Sequence, residues 1–112
     1  MRLINVKDVL FRAGEYLVGA EQTGSHACYL MYGVLEPGQS RTIKASIGHA
    51  EIFCLLSGSG TVEDMDGKQE LNRGHSFYYQ DEAAAEVTNT GTEPMVYVIA
   101  GGHTGSGEHH HH

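Results

Sequence analysis

The stretch Gly48–Gly60, GHAEIFCLLSGSG, decides the fold of this 112-residue chain, read together with Gly74–Asn89, GHSFYYQDEAAAEVTN. In the first, Glu51 sits in an apolar run and six residues separate it from Gly58. In the second, Gly74 opens a strand-like run, a turn follows, and another run closes at Asn89. An Asp66-Gly67 dipeptide lies between the two stretches and reads as a tight hairpin. Outward from these segments, short apolar runs alternate with turn residues, the spacing of an all-β chain. Cys28–Leu35 ends at Glu36-Pro37-Gly38, Ser40–Ile47 is broken by Gly48, and Glu51–Leu56 gives way to Gly58 and Gly60. Thr61–Asp64, Gln69–Leu71, Ser76–Gln80, Ala84–Asn89 and Pro94–Ala100 complete about eight expected strands. The one helical expectation is a turn over Asp8–Gly14.

Side chains alternate between faces along a strand, so an inward Glu51 carries Phe53 and Leu55 inward with it. Ile52, Cys54 and Leu56 then face outward, yet they are apolar too. A sheet with one wet face normally shows polar residues there. The outer face is therefore expected to pack against a second copy, giving a homodimer. By the same parity Phe77 and Tyr79 face inward and Tyr78 outward.

Composition narrows the partners. A net charge of −7 with seven scattered Lys and Arg argues against nucleic acid, which needs a concentrated basic surface. No apolar run approaches the ~20 residues of a membrane helix. Met1–Leu10 mixes Arg2, Asn5, Lys7 and Asp8 into its apolar residues, unlike a secretory signal. Cys28 and Cys54 form no CxxC pair and lie in apolar runs, which predicts buried, reduced thiols and a cytoplasmic protein.

The two stretches resemble the paired motifs of a cupin, a conical jelly-roll β-barrel, over residues 1–101. Residues 102–112 read as a Gly- and His-rich tail whose terminal His109–His112 look like a purification tag. A typical cupin surrounds a metal ion with three histidines and the strand glutamate. The resemblance keeps Glu51 but puts Ala45, Ile47 and Ala85 at the histidine positions. Within the cupins the chain is similar to ectoine synthase, a lyase that cyclises an acetylated diaminobutyrate with loss of water. That family shows H-x-E-x-x-Y-C-I-x-G-x-G-x-V-E, and this chain reads His49-Ala50-Glu51-Ile52-Phe53-Cys54-Leu55-Leu56-Ser57-Gly58-Ser59-Gly60-Thr61-Val62-Glu63. Met1–Val6 and Gly102–His109 also resemble that family's two ends. Its iron positions carry over to Glu51, Phe77 and Ala85, and its upstream histidines to Ile43 and Ala45. Phenyl, methyl and alkyl groups have no lone pair for a metal. The expectation is therefore a cupin without the metal cofactor. His49 is retained, and the resemblance implies that it touches substrate.

Glu51 is the leading candidate for acid–base work, with His49 two residues earlier as its proton-transfer partner. The plainer alternatives make Glu51 a hydrogen-bond partner of Lys44, Arg41 or a tyrosine, and His49 a cap on the turn after Gly48. Tyr79 either lines the pocket or fills the barrel wall. Phe77 and Ala85 are further ligand-contact candidates, since small residues at Ala83-Ala84-Ala85 enlarge a cavity. His75 lies roughly 16 Å of strand from the pocket end and is discounted. Three functions follow: a metal-independent binder of a small polar molecule, an ectoine-synthase-like lyase, or a structural or regulatory dimer. An open cavity separates the first two from the third.

Overall fold

The alternating runs form ten strands in the computed structural model, which describes residues 1–104. In chain order they are β1 (Leu10–Arg12), β2 (Glu15–Val18), β3 (Cys28–Leu35), β4 (Ser40–Lys44), β5 (His49–Ser57), β6 (Ser59–Asp64), β7 (Gly67–Asn72), β8 (Ser76–Gln80), β9 (Ala84–Asn89) and β10 (Met95–His103). A 3-10 turn at Val6–Asp8 and a single helical turn, α1 (Ala20–Thr23), are the remaining elements. The larger sheet runs β1-β2-β3-β10-β5-β8 and the smaller one β4-β9-β6-β7. All recorded pairings are antiparallel. The two sheets face each other as a jelly roll closed around one core. Among the described residues no helix is long and apolar enough to cross a membrane.

The inward parity read from Glu51 holds: Phe53 and Leu55 are fully buried beside Leu35, Val87, Met95 and Ile99. An aromatic column fills the middle of the sandwich. Phe53 stacks on Phe77 and on Tyr97, each with ring centroids 4.8 Å apart. The Tyr97 ring lies over Gly33 of β3, where an added Cβ would sit 2.1 Å from Tyr97 Cζ. Only glycine admits that approach. The Tyr97 hydroxyl donates to Glu15 Oε2 at 2.7 Å and accepts a hydrogen bond from Arg41. Glu15 is almost wholly buried, and Arg12 Nε pairs with its other oxygen at 2.9 Å. A carboxylate taken out of water is costly unless partnered in this way. The network thereby pins the β1–β2 hairpin to the core.

Several expectations are corrected. Asp8–Gly14 forms no helical turn; β1 and β2 make a hairpin instead, turning at Gly14 with φ +78°. The run expected as Ser40–Ile47 ends as a strand at Lys44, and Ile47 sits in a turn with 73% of its surface exposed. Cys28 is exposed rather than buried, because the first residues of β3 form a wall of an open cavity; Cys54 is half-buried, and both are free thiols. The last strand continues through His103, two residues past the expected end of the barrel. The terminal His109–His112 lie outside the described residues.

Candidate functional site

Four strands supply one transverse row: Tyr29 on β3 is opposite Gly101 on β10, Gly101 is opposite Glu51 on β5, and Glu51 is opposite Tyr79 on β8. A Cβ at Gly101 would stand 2.4 Å from Tyr29 Cζ, so the missing side chain is what lets the Tyr29 ring cross β10. The ring reaches Glu51, and its hydroxyl donates to Oε2 at 2.5 Å. Glu51 is 5% exposed and Tyr79 7%. Glu51 Oε1 and Tyr79 Oη are both buried without a hydrogen-bond partner in the protein. They are near enough for the carboxylate to act on the phenol, but not in hydrogen-bonding geometry. Burial first, and then Glu51, push the pKa values of Tyr29 and Tyr79 well above the ordinary tyrosine value. Both phenols therefore stay protonated at neutral pH, Tyr29 donating to Glu51 and Tyr79 with its donor unused in the protein.

A cavity of about 320 Å³ opens beside this row. Glu51, Tyr29 and His49 line it, with His26, His103, Lys44 and Ser46 on its walls. His49 and His103 are cross-strand partners with ring centroids 4.6 Å apart, and His26 is 6.4 Å from His103. His49 Nδ1 lies 3.3 Å from the Ile47 carbonyl. A carbonyl oxygen only accepts, so Nδ1 is the donor in this contact, and Nε2 remains for another partner. His49 is thus tied to its own turn and lies on the cavity wall, and among the described residues it makes no hydrogen bond to Glu51. The turn itself is clamped by Asp81, whose Oδ1 accepts from the Gly48 N–H at 2.9 Å. Asp81 N donates to His49 O, and Glu82 N donates to Ala45 O. To do this Asp81 and Glu82 adopt φ +51° and +72°, a left-handed conformation unusual for non-glycine residues.

The site residues expected from sequence divide in two. Glu51 and His49 come together in the 320 Å³ cavity. Phe77 and Ala85 line a separate cavity of about 160 Å³, and Tyr79 stands between, on that cavity's wall and across from Glu51. His75 serves its own turn, its Nδ1 accepting from Asn72 N at 2.9 Å. Gly101, His103 and Ser46 were not foreseen; Lys44 and an unspecified tyrosine were expected only as hydrogen-bond partners of Glu51, and Tyr29 is that tyrosine. A glycine inside an apolar strand run marks close backbone or ring approach, so Gly101 was the signal available for Tyr29. Lys44, the last residue of β4, and Ser46, just beyond it, line the cavity with Glu51, and Ala45 and Ile47 do not. Ala45 is instead buried in the core.

A cupin-domain family profile matches residues 31–101. The chain belongs to the cupin family. Similar solved structures include a sugar phosphate isomerase from a cupin superfamily from Silicibacter pomeroyi, with 16% identity and a TM-score of 0.66. That alignment covers 82% of this chain and 61% of the other, so the chain spans about three fifths of its length. An uncharacterized conserved Klebsiella pneumoniae protein with a double-stranded β-helix domain aligns with 16% identity and a TM-score of 0.70, over 91% of this cupin and 90% of that chain. A cupin protein from Bacteroides fragilis aligns with 15% identity and a TM-score of 0.69, over 94% and 86%. At these identities the likeness concerns fold. No curated protein sequence matches this cupin.

The metal ion of a typical cupin does not fit these residues. Of Ala45, Ile47, Glu51 and Ala85 only Glu51 offers a donor atom, and Lys44 and Ser46, which line the cavity instead, bring an ammonium and a hydroxyl. Among the described residues no three His, Cys, Asp or Glu side chains are placed to hold a metal, the cavity histidines included.

Proposed function

We propose that this cupin binds a small polar organic molecule in the Glu51 cavity and does so without a metal ion. One observation carries the reading: a buried carboxylate lies against an open cavity, one oxygen held by Tyr29 and the other unpartnered in the protein. Burying a carboxylate is expensive, and a ligand hydroxyl or ammonium in the cavity that Glu51 lines would be a donor for it. The volume lies near the lower end for ligand pockets, which suits a metabolite of few atoms. Tyr79 contributes a second polar group on the same row. The test is a thermal-shift screen of polyols, hydroxy acids and amino acids against wild type and Glu51→Gln. Midpoints that rise for wild type and stay fixed for the variant support the reading. No rise with any compound, together with an open cavity in a crystal, would sink it.

A lyase of the ectoine-synthase kind is the second reading, favoured by the gathering of Glu51, His49 and Tyr29 in one cavity. In such a cyclisation an amine attacks an amide carbonyl, His49 or Glu51 takes the amine proton, and a protonated group returns one as water leaves. Turnover of an acetylated diamino acid, followed by mass loss of one water, tests it. No turnover leaves the binding reading alone.

The dimer expected from sequence is also proposed. Its support is the outer face of the larger sheet, where Ile52 is 50% and Tyr78 61% exposed beside Leu30 and Leu56. A purely structural dimer has no use for the cavity, which is why binding is preferred.

A further inference from the structure

Resting on the reading that the Glu51 cavity is a ligand site, we propose that its ligand is bifunctional. An anionic head group, carboxylate or phosphate, lies between Lys44, His49 and His103, and a hydroxyl or ammonium group reaches Glu51.

Charge distribution is the first ground. The chain as a whole carries −7 with its histidines counted neutral, yet the cavity sets Lys44 and Arg12 against a single carboxylate, Glu51, and adds the imidazoles of His26, His49 and His103. Outside the terminal run the chain has four histidines, and three of them meet here. The fourth, His75, is used within its own turn. Arg12 is engaged with Glu15 at 2.9 Å, whereas Lys44 makes no ion pair among the described residues. A compact ammonium on a flexible stem is a natural point partner for an oxyanion. Ser46, two residues along from Lys44, adds a hydroxyl donor to the same wall.

Separation along the strand is the second. His49 and Glu51 share a face of β5 two residues apart, so their Cα atoms stand roughly 6.6 Å from each other. The anion-binding group and the acceptor carboxylate are thus fixed at unequal depths in one cavity. A single phosphate or carboxylate cannot satisfy both, because an anion pressed against Glu51 meets like charge. A chain of about three carbons between the anionic group and the donor group spans that distance. The row Tyr29–Gly101–Glu51 fixes the deep end and the Asp81 clamp on the Gly48 N–H fixes the shallow end. The ligand is therefore measured for length as well as charge.

The experiment is calorimetric titration of the full chain with four probes: 1,4-butanediol, 4-hydroxybutyrate, glycerol 3-phosphate and inorganic phosphate. At least tenfold tighter binding of 4-hydroxybutyrate or glycerol 3-phosphate than of the diol is expected, and which of the two binds better separates carboxylate from phosphate. Lys44→Gln should weaken the charged bifunctional probe about tenfold and leave the diol unchanged. Glu51→Gln should weaken both. Inorganic phosphate should bind more weakly than the bifunctional probes, its binding lost in Lys44→Gln. Equal affinity for diol and hydroxy acid, with no effect of Lys44→Gln, would overturn the bifunctional ligand while leaving a Glu51-dependent site standing. No binding of any probe, with a Glu51→Gln variant that loses stability, would instead remove the ligand site itself.

Discussion

Tyr29 and Glu51 belong to strands that are not neighbours, yet the tyrosine hydroxyl donates to Glu51 Oε2 at 2.5 Å by crossing Gly101 of the strand between. Three residues thus act as one device: a glycine that clears a path, a phenol that takes it, and a carboxylate fixed at its end. Replacing Gly101 by alanine puts a methyl 2.4 Å from Tyr29 Cζ. Overpacking of that kind costs about 1–3 kcal/mol. Gly101→Ala should lower the urea midpoint and weaken ligand binding together. Tyr29→Phe, which keeps the ring and removes the bond, should cost about 1–2 kcal/mol. Unchanged midpoints in both variants would mean that the row is incidental.

The β1–β2 hairpin should depend on Tyr97. Its hydroxyl donates to the buried Glu15 at 2.7 Å and accepts from Arg41. Tyr97→Phe leaves the ring over Gly33 but strips one partner from each charged group, at about 1–3 kcal/mol. Equilibrium urea unfolding measures this, and hydrogen exchange should show early opening of residues 10–18.

High pH should unfold the protein steeply. Tyr29, Tyr79 and Tyr97 all have pKa values raised by burial foremost, with Glu51 acting on the first two and Glu15 on the third. A raised folded pKa means the folded state holds protons that the unfolded chain releases above about 10. Stability is therefore intact below that pH and falls as pH climbs through the window above it. Thermal midpoints between pH 8 and 11.5 should stay level and then drop, with a shallower drop for Tyr29→Phe. A midpoint that is flat to pH 11.5 would contradict the burial of these hydroxyls.

Glycine fits the left-handed turn at Glu82 better than glutamate does. Its φ of +72° costs a non-glycine residue on the order of 1 kcal/mol. Glu82→Gly should raise stability by up to that amount while leaving the Glu82 N–H bond to Ala45 O in place. Asp81→Ala, in contrast, removes the acceptor for Gly48 N–H and should loosen His49.

Light scattering at micromolar concentration should give about twice the 12.2 kDa chain mass. Ile52→Glu, on the outer face of β5, should return the monomer with its core intact. A monomeric wild type would refute the dimer.

Much of the fold was legible because apolar alternation and turn dipeptides depend on local chemistry alone. Ser76–Gln80 and Ala84–Asn89 match their strands end to end, parity from Glu51 correctly sent Phe53 and Leu55 inward, and the parity of Phe77 did the same for Tyr79. The β1–β2 hairpin was not legible, because Leu10–Arg12 and Glu15–Val18 are short and held by the distant Arg41 and Tyr97. The site was half legible. Glu51 and His49 stand on one strand and were singled out together through the resemblance, whereas Tyr29 and His103 arrive through strand pairing over long sequence separation. The resemblance put Ala45 and Ile47 at the histidine positions, but Lys44 at the end of β4 and Ser46 just beyond it line the cavity instead.

The claim that Glu51 serves a ligand rather than the fold is tested most directly by the thermal midpoint of Glu51→Gln, measured with and without 4-hydroxybutyrate. The amide keeps the shape and an oxygen to accept the Tyr29 bond, offers an N–H toward Tyr79, and removes a buried charge. The account predicts an unliganded midpoint equal to or above wild type and no further rise on adding the compound, where wild type rises. A midpoint several degrees below wild type, with ligand-induced shifts equal in the two proteins, would show Glu51 to be a structural hydrogen-bond hub and contradict the account.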